Sequence, residues 1–354
     1  MIEQPLKILV LGAGAIGIYI GTSLIKSGQG AVFLDRPESA KDLLAHGLRL
    51  KFGSAEFVNE HPSIESTIEE ALAHGPFDAC IAAVKSFDTE ELAKSLSPFR
   101  TELPPLVCFQ NGVENEDIYR SYLGSDKVIA GTLTSAIGKY GTGAVVVEKF
   151  RGTGIALTHE ISGRLVAGFD KAGLNCTGYK NEAAMKWSKM LTNLVANASS
   201  AVLNLTPREI FVDKHLFRIE ALQMAEIRKV MTKLNIPIVD LPGTPVKMLV
   251  NLFRYVPEWA ARPLTIKFIA SGRGNKMPSS YIDLRERKAP VEIDFLNGAV
   301  VRFGEKAGVP TPVNRFLNQT LQMLSSGSLP IDYYDKDPQK FLKDLLKSEH
   351  KKKI

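Results

Sequence analysis

The chain's beginning constrains its fold most: the apolar run "KILVL" (7–11) stops on "GAGAIG", and a helical pattern starts at once. Gly12, Gly14 and Gly17 stand at the spacing that permits a tight turn, close backbone approach to a pyrophosphate, and close helix–strand packing. A helix opening there offers unpaired N–H groups and a partial positive charge to phosphates. This context predicts a dinucleotide site lined by Gly12, Ala13, Gly14, Ala15, Ile16 and Gly17. A merely tight turn is the alternative that the motif alone leaves open.

The same strand–helix alternation continues through the first half of the chain. "AVFLD" (31–35), "DACIAAV" (78–84), "LVCFQN" (106–111) and "VIAGTL" (128–133) are further buried-strand candidates, with helical stretches at 15–27, 88–97 and 114–122. Such alternation predicts a parallel sheet covered on both faces. Glycine-split β-rich runs over 134–158 suggest hairpins. Beyond about residue 180 helical periodicities dominate, at 181–204, 215–235, 292–308 and 312–325. At 354 residues the chain exceeds one usual core. The expected fold class is α/β: an N-terminal Rossmann domain over 1–180 with a parallel sheet, and an all-helical C-terminal domain over 181–354.

Composition narrows the partners. The formal charge of +6 lies partly in the closing "KSEHKKKI", a solvated tail without the aromatic interleaving nucleic-acid binding favours. No apolar run reaches the length of a membrane span, and the run before the glycines is too short for a signal peptide. Cys80, Cys108 and Cys176 lie far apart and suit reduced core positions in a cytoplasmic protein. The histidines at 46, 61, 74, 159, 215 and 350 form no ligand motif, so no metal is expected.

The second strand ends in "FLDRPES". An acid there accepts from the adenosine ribose and favours NAD; a nearby arginine pairs with a 2′-phosphate and favours NADP. Asp35 and Arg36 supply both, so the cofactor choice stays open on the residues alone. Lys85 in "AVKSFDT" and Asn111 in "FQNGVEN" come just after later strands, at the edge where open α/β sheets bind ligands. Ordinary surface lysine and Asn-Gly turn chemistry are their plain alternatives.

In "KWSKMLTNLVAN" (186–197), Lys189, Asn193 and Asn197 stand four apart, a narrow stripe on a continuous helix. A lysine can give its proton to a carbonyl oxygen as hydride arrives at carbon, and two amides can hold a polar substrate without added charge. A polar stripe on an interdomain helix is the plain alternative.

Taken together and in order, "GAGAIG", "AVKSFDT", "FQNGVEN", "KWSKMLTNLVAN" and "SSYIDLRERKAPVEIDFLNG" resemble the ketopantoate reductase family, within the 6-phosphogluconate dehydrogenase-like group, over roughly 6–325. The resemblance implies Lys189 as proton donor, with Asn193, Asn197 and Ser280 on the substrate. It implies Glu292 ordering the lysine and touching the cofactor. Asn111 would stand near the nicotinamide and substrate, and Ala136 would make a backbone contact to the cofactor. Arg36 and Lys85 would hold the 2′-phosphate of NADPH. The sequence departs from the family in "RKAPV" before Glu292, in a one-position shift at Asp283, at Pro207, and in a long span over 240–278. The expectation is NADPH-dependent reduction of ketopantoate, a small 2-oxo acid, in the cleft between the domains, with a homodimer as one available assembly. The rivals are an NADH-dependent 2-hydroxy acid dehydrogenase for another branched or aromatic 2-oxo acid, and a non-catalytic dinucleotide sensor.

Overall fold

The structure, a computed structural model, describes residues 4–272, 277–286 and 290–350. The chain forms two units. One runs to Lys186 and includes Asp240–Pro245; the other is Trp187–Val239 with the chain from Val246 onward.

The first unit holds twelve strands among its described residues. They are β1 (Lys7–Leu11), β2 (Gly30–Leu34), β3 (Leu48–Phe52), β4 (Ala55–Asn59), β5 (Ile64–Glu65) and β6 (Ala79–Ala82), then β7 (Leu106–Cys108), β8 (Val128–Leu133), β9 (Ala136–Gly141), β10 (Ala144–Lys149), β11 (Thr153–Ala156) and β12 (Cys176–Tyr179). Its helices are α1 (Ala15–Lys26), α2 (Pro37–His46), α3 (Ile68–Ala73), α4 (Thr89–Leu96), α5 (Asn115–Leu123) and α6 (Ser162–Lys171).

Eight strands make one sheet in the order β12-β11-β8-β7-β6-β1-β2-β5. Every pairing is parallel except β8 with β11. The apolar runs are continuous because both faces are covered. Ile8, Leu9, Val10 and Leu11 are all buried, and one face packs Leu9, Cys80 and Leu106 with Ala93, Leu96 and Tyr119 from α4 and α5. Strand order reverses at β1, so the carboxyl ends of β1, β6 and β7 share one edge. Gly12, Lys85 and Asn111 come just after those three ends.

A second sheet, β4-β3-β10-β9, accompanies it. The hairpins expected over 134–158 reduce to one, β9–β10; β11 instead joins the large sheet. The β3–β4 hairpin has no counterpart in the sequence pattern. β3 buries only alternate positions, so it carries no continuous apolar run.

The second unit is helical in its described residues. α7 (Glu182–Leu194) starts in the first unit. After it come α8 (Asn197–Leu203), α9 (Pro207–Val212), α10 (Lys214–Lys233), α11 (Val246–Tyr255), α12 (Glu258–Gly272), the single turn α13 (Ser279–Tyr281), α14 (Ala299–Ala307), α15 (Pro312–Ser325) and α16 (Pro338–His350). Wider π-helical turns cover Ile282–Glu286 and Asp294–Gly298. The second of these replaces the start of the helix expected over 292–308.

The continuous helix expected over 181–204 is instead two helices. Ala196 sits between α7 and α8 at φ 50°, in the left-handed region. The cause lies in α10. Glu220 Oε2 accepts the Ala196 N–H at 2.7 Å, and Gln223 Nε2 donates to the Leu194 carbonyl at 2.9 Å. Buried backbone groups that a straight helix would pair internally are thus paired from outside. Among the described residues no helix is long and apolar enough to cross a membrane.

Candidate active site

The three glycines of the first turn answer to different demands. Gly12 has φ 94°, and a Cβ there would lie 2.7 Å from Val84 Cγ1. A Cβ at Gly17 would lie 2.0 Å from the Gly12 carbonyl oxygen, so the helix could not close onto the turn. Gly14 is different: its Cβ would meet only the Ala83 carbonyl oxygen, at an ordinary 3.9 Å. Folding does not forbid a side chain at Gly14, and its absence leaves the backbone bare at the N-cap of α1. That helix start has no side-chain cap and no acid in its first turn. An uncapped first turn of N–H groups fits the pyrophosphate of a dinucleotide.

Beside this turn, Asp35 is fixed by backbone. Its Oδ2 accepts the Ala13 N–H at 2.7 Å and its Oδ1 the Arg36 N–H at 2.8 Å. Its carboxylate therefore lies against the glycine turn. The Arg36 guanidinium is exposed and reaches Asp88 Oδ1 at 3.1 Å, in the turn that starts at Lys85.

The loops after β6 and β7 are stitched together. Ser86 Oγ donates to the Asn111 carbonyl at 3.0 Å, and Asn115 Nδ2 donates to the same oxygen at 2.6 Å. Gln110 Nε2 donates to Thr89 Oγ1 at 2.6 Å, and Thr89 in turn donates to Asn115 Oδ1 at 2.8 Å. Lys85 and Asn111 themselves are half-buried. Ala136 opens β9, just after Ser135, whose hydroxyl accepts the N–H groups of Arg151 and Gly152.

Beneath these loops lies a buried ion pair. Lys186 Nζ stands 2.7 Å from Glu116 Oε1, each side chain 6% exposed, and it donates to the Gln110 carbonyl at 2.7 Å and the Gly131 carbonyl at 3.3 Å. Burial pushes the Lys186 pKa down, but the Glu116 carboxylate outweighs it and holds the ammonium above its ordinary value. The two cysteines of the central strands are inert by contrast: burial pushes the Cys80 and Cys108 thiols far above the ordinary range.

In the second unit, Lys189 and Asn193 lie one turn apart on α7, both half-buried, with Thr192 Oγ1 donating to the Lys189 carbonyl at 2.8 Å. Asn197 opens α8 and is buried. Its Oδ1 accepts the backbone N–H of Ser280 at 3.2 Å. Two residues 83 positions apart, both singled out by sequence, thus meet. The helix break corrects the straight stripe: Lys189 and Asn193 share α7, whereas Asn197 begins a new axis. Glu292 is also buried, and its carbonyl accepts the Phe295 N–H at the entry to the second π-helical turn.

The Ser280 segment is anchored by Arg285, which donates from Nε to the Ala201 carbonyl at 3.0 Å and binds Asp335. Positions 287–289 of the departing "RKAPV" segment, and 273–276 within the long span, lie outside the described residues.

Sequence reasoning missed Lys186, Glu116, Asp88 and the polar row on α10. Lys186 carries a signal: it stands one turn before Lys189 on the same side of α7. Glu220 and Gln223 carry one too, since they share the buried phase of α10 with Ile227 and Val230. Glu226 completes the row by accepting the Val313 N–H at 2.9 Å and the Asn314 N–H at 3.0 Å, which caps α15. Among the described residues, no cluster of three or more His, Cys, Asp or Glu is placed to hold a metal ion.

Against known proteins, residues 8–157 match the family described as ketopantoate reductase PanE/ApbA, and residues 181–325 match its C-terminal part. The 2-dehydropantoate 2-reductase of Lactococcus lactis subsp. lactis is 26% identical over 321 residues, 89% of this chain and 96% of that protein. The enzyme of the same name from Archaeoglobus fulgidus is 26% identical over 328 residues, 91% and 98% of the two chains. Among solved structures, the PanE/ApbA family ketopantoate reductase from Ralstonia eutropha JMP134 superposes with a TM-score of 0.76 at 27% identity, covering 91% of this chain and 99% of that one. D-mandelate dehydrogenase with NADH and anilino(oxo)acetate shares the fold, with a TM-score of 0.74 at 24% identity and the same coverage.

Proposed function

Because this chain belongs to the ketopantoate reductase family, a family of oxidoreductases, we propose that it reduces ketopantoate (2-dehydropantoate) to its 2-hydroxy acid with NADPH. The observation that carries the substrate side is the Asn197–Ser280 contact. With Oδ1 committed as an acceptor, the Asn197 Nδ2 group carries the donors for a substrate oxygen. Asn193 and Ser280 share the task of fixing the carboxylate and hydroxyl, and such orientation is a large part of the acceleration.

When bound, the reduced nicotinamide supplies the hydride. Lys189 Nζ gives a proton to the carbonyl oxygen as that oxygen turns into a hydroxyl, so no full negative charge builds up there. Glu292 orders the lysine. On the cofactor side, the bare turn at Gly12–Gly17 takes the pyrophosphate, Arg36 and Lys85 face the 2′-phosphate, and Asn111 and Ala136 serve the nicotinamide end. The fit of the Gly14 backbone and the uncapped α1 supports this.

A second reading is favoured by Asp35, whose carboxylate lies against the glycine turn where it can accept from ribose hydroxyls. It is an NADH-dependent dehydrogenase for another branched or aromatic 2-oxo acid. Measuring the loss of NADPH or NADH absorbance with ketopantoate and a panel of 2-oxo acids separates the two. Efficient turnover of ketopantoate with NADPH is expected. Activity confined to another oxo acid with NADH sinks the first reading in favour of the second.

A further inference from the structure

We infer that Asp88 sets the cofactor selectivity of this chain by competing with a 2′-phosphate for Arg36. The inference rests on the reading of Arg36 as the 2′-phosphate cation. Arg36 and Asp88 stand 52 residues apart and meet at 3.1 Å, the arginine side chain 71% exposed and the aspartate 25%. Asp88 is held in place from its own backbone, since its N–H donates to the Lys85 carbonyl at 2.9 Å. The Arg36 backbone is likewise held, through its N–H to Asp35 Oδ1.

Of the two carboxylates near Arg36, one holds its backbone and the other its guanidinium. Asp35 lies against the turn, and Asp88 takes the guanidinium itself. A ribose 2′-hydroxyl leaves this arrangement untouched, because it needs no cation. A dianionic 2′-phosphate needs Arg36, and must draw it from Asp88 while standing near that residue's negative charge. Asp88 thus weakens NADPH binding and leaves NADH binding alone. An exposed pair of this kind is worth little in itself, so the expected effect is a tuning of selectivity and not a switch.

The test measures dissociation constants of NADPH and NADH on the full-length protein by calorimetry, without substrate. The variants are Asp88→Asn, Arg36→Ala and the pair combined, each at low and high salt. Asp88→Asn is expected to tighten NADPH about two- to five-fold at low salt, less at high salt, and less again when Arg36 is absent. NADH affinity should stay within error, which also shows that the variant is folded. Unchanged NADPH affinity in Asp88→Asn, or an equal gain for NADH, overturns the inference. If Arg36→Ala weakens NADPH while Asp88→Asn changes nothing, the role of Asp88 alone falls. If Arg36→Ala binds NADPH as the wild type does, the placement of the 2′-phosphate falls, and this inference with it.

Discussion

Glu220 holds Ala196 in a left-handed conformation: Oε2 accepts the Ala196 N–H at 2.7 Å while Oε1 accepts the Ser199 hydroxyl at 2.6 Å. A non-glycine residue at such a φ costs about 1–2 kcal/mol, and here the carboxylate recovers it at the N-terminal end of α8, where negative charge is favourable. Glu220→Ala should leave a buried N–H unpaired and destabilise the protein by about 3 kcal/mol. Glu220→Gln, which keeps an acceptor, should cost clearly less. Chemical denaturation measures both, and equal losses would show that the acceptor is irrelevant.

Gly14 and Gly17 should separate binding from folding. Gly17→Ala places a methyl 2.0 Å from the Gly12 carbonyl oxygen and should lower the melting temperature markedly. Gly14→Ala meets nothing closer than 3.9 Å, so stability should change by less than about 1 kcal/mol, whereas dinucleotide affinity falls. Retained affinity in Gly14→Ala would remove the bare N-cap from the cofactor site.

Lys189→Ala should bind NADPH as the wild type does, with turnover down by on the order of 10²-fold or more, the scale of general-acid effects. Calorimetry and steady-state rates together check this. Near-normal turnover would take the proton donor's role away from Lys189.

The Lys186–Glu116 pair predicts a pH dependence. The Lys186 pKa is raised in the folded state, so the stability it contributes is full below the ordinary lysine value and is lost as pH rises through the folded value. The loss belongs above about pH 10.5. Lys186→Met strands the buried Glu116 charge and should cost about 3–5 kcal/mol at neutral pH, most of it regained in Lys186→Met/Glu116→Leu. Urea denaturation of the three proteins across alkaline pH checks the sign; a double variant as alkali-sensitive as wild type would contradict it.

Much of the fold is legible in the sequence because it rests on local pattern. β1, β2, β6, β7 and β8 are nearly continuous apolar runs, since helices cover both faces of their sheet, and β3 escapes notice because only one of its faces is buried. The break before Asn197 is not legible. Nothing in "NLVANASS" announces it, since the groups that hold Ala196 come from Glu220 and Gln223 on another helix. The Asn197–Ser280 contact is nameable only through family resemblance, because spacing says nothing about residues 83 positions apart. Asp88 hides for the same reason: its partner Arg36 stands at the end of a different strand.

The segment Asp240–Pro245 completes the first unit after the chain has left it at Lys186. Its Pro242 carbonyl accepts from Thr134 Oγ1 at 2.8 Å, and its Asp240 carbonyl from the Tyr179 hydroxyl at 3.0 Å. During synthesis, roughly 60 further residues must emerge after Lys186 before Pro245 does, on the order of 3–12 s at ~5–20 residues per second. In that interval the first unit waits without its last piece while α7 to α10 are already made. A fragment cut at Lys186 would preserve that unfinished state, and no single cut in the chain releases the first unit whole, because its last piece follows 53 residues of the second.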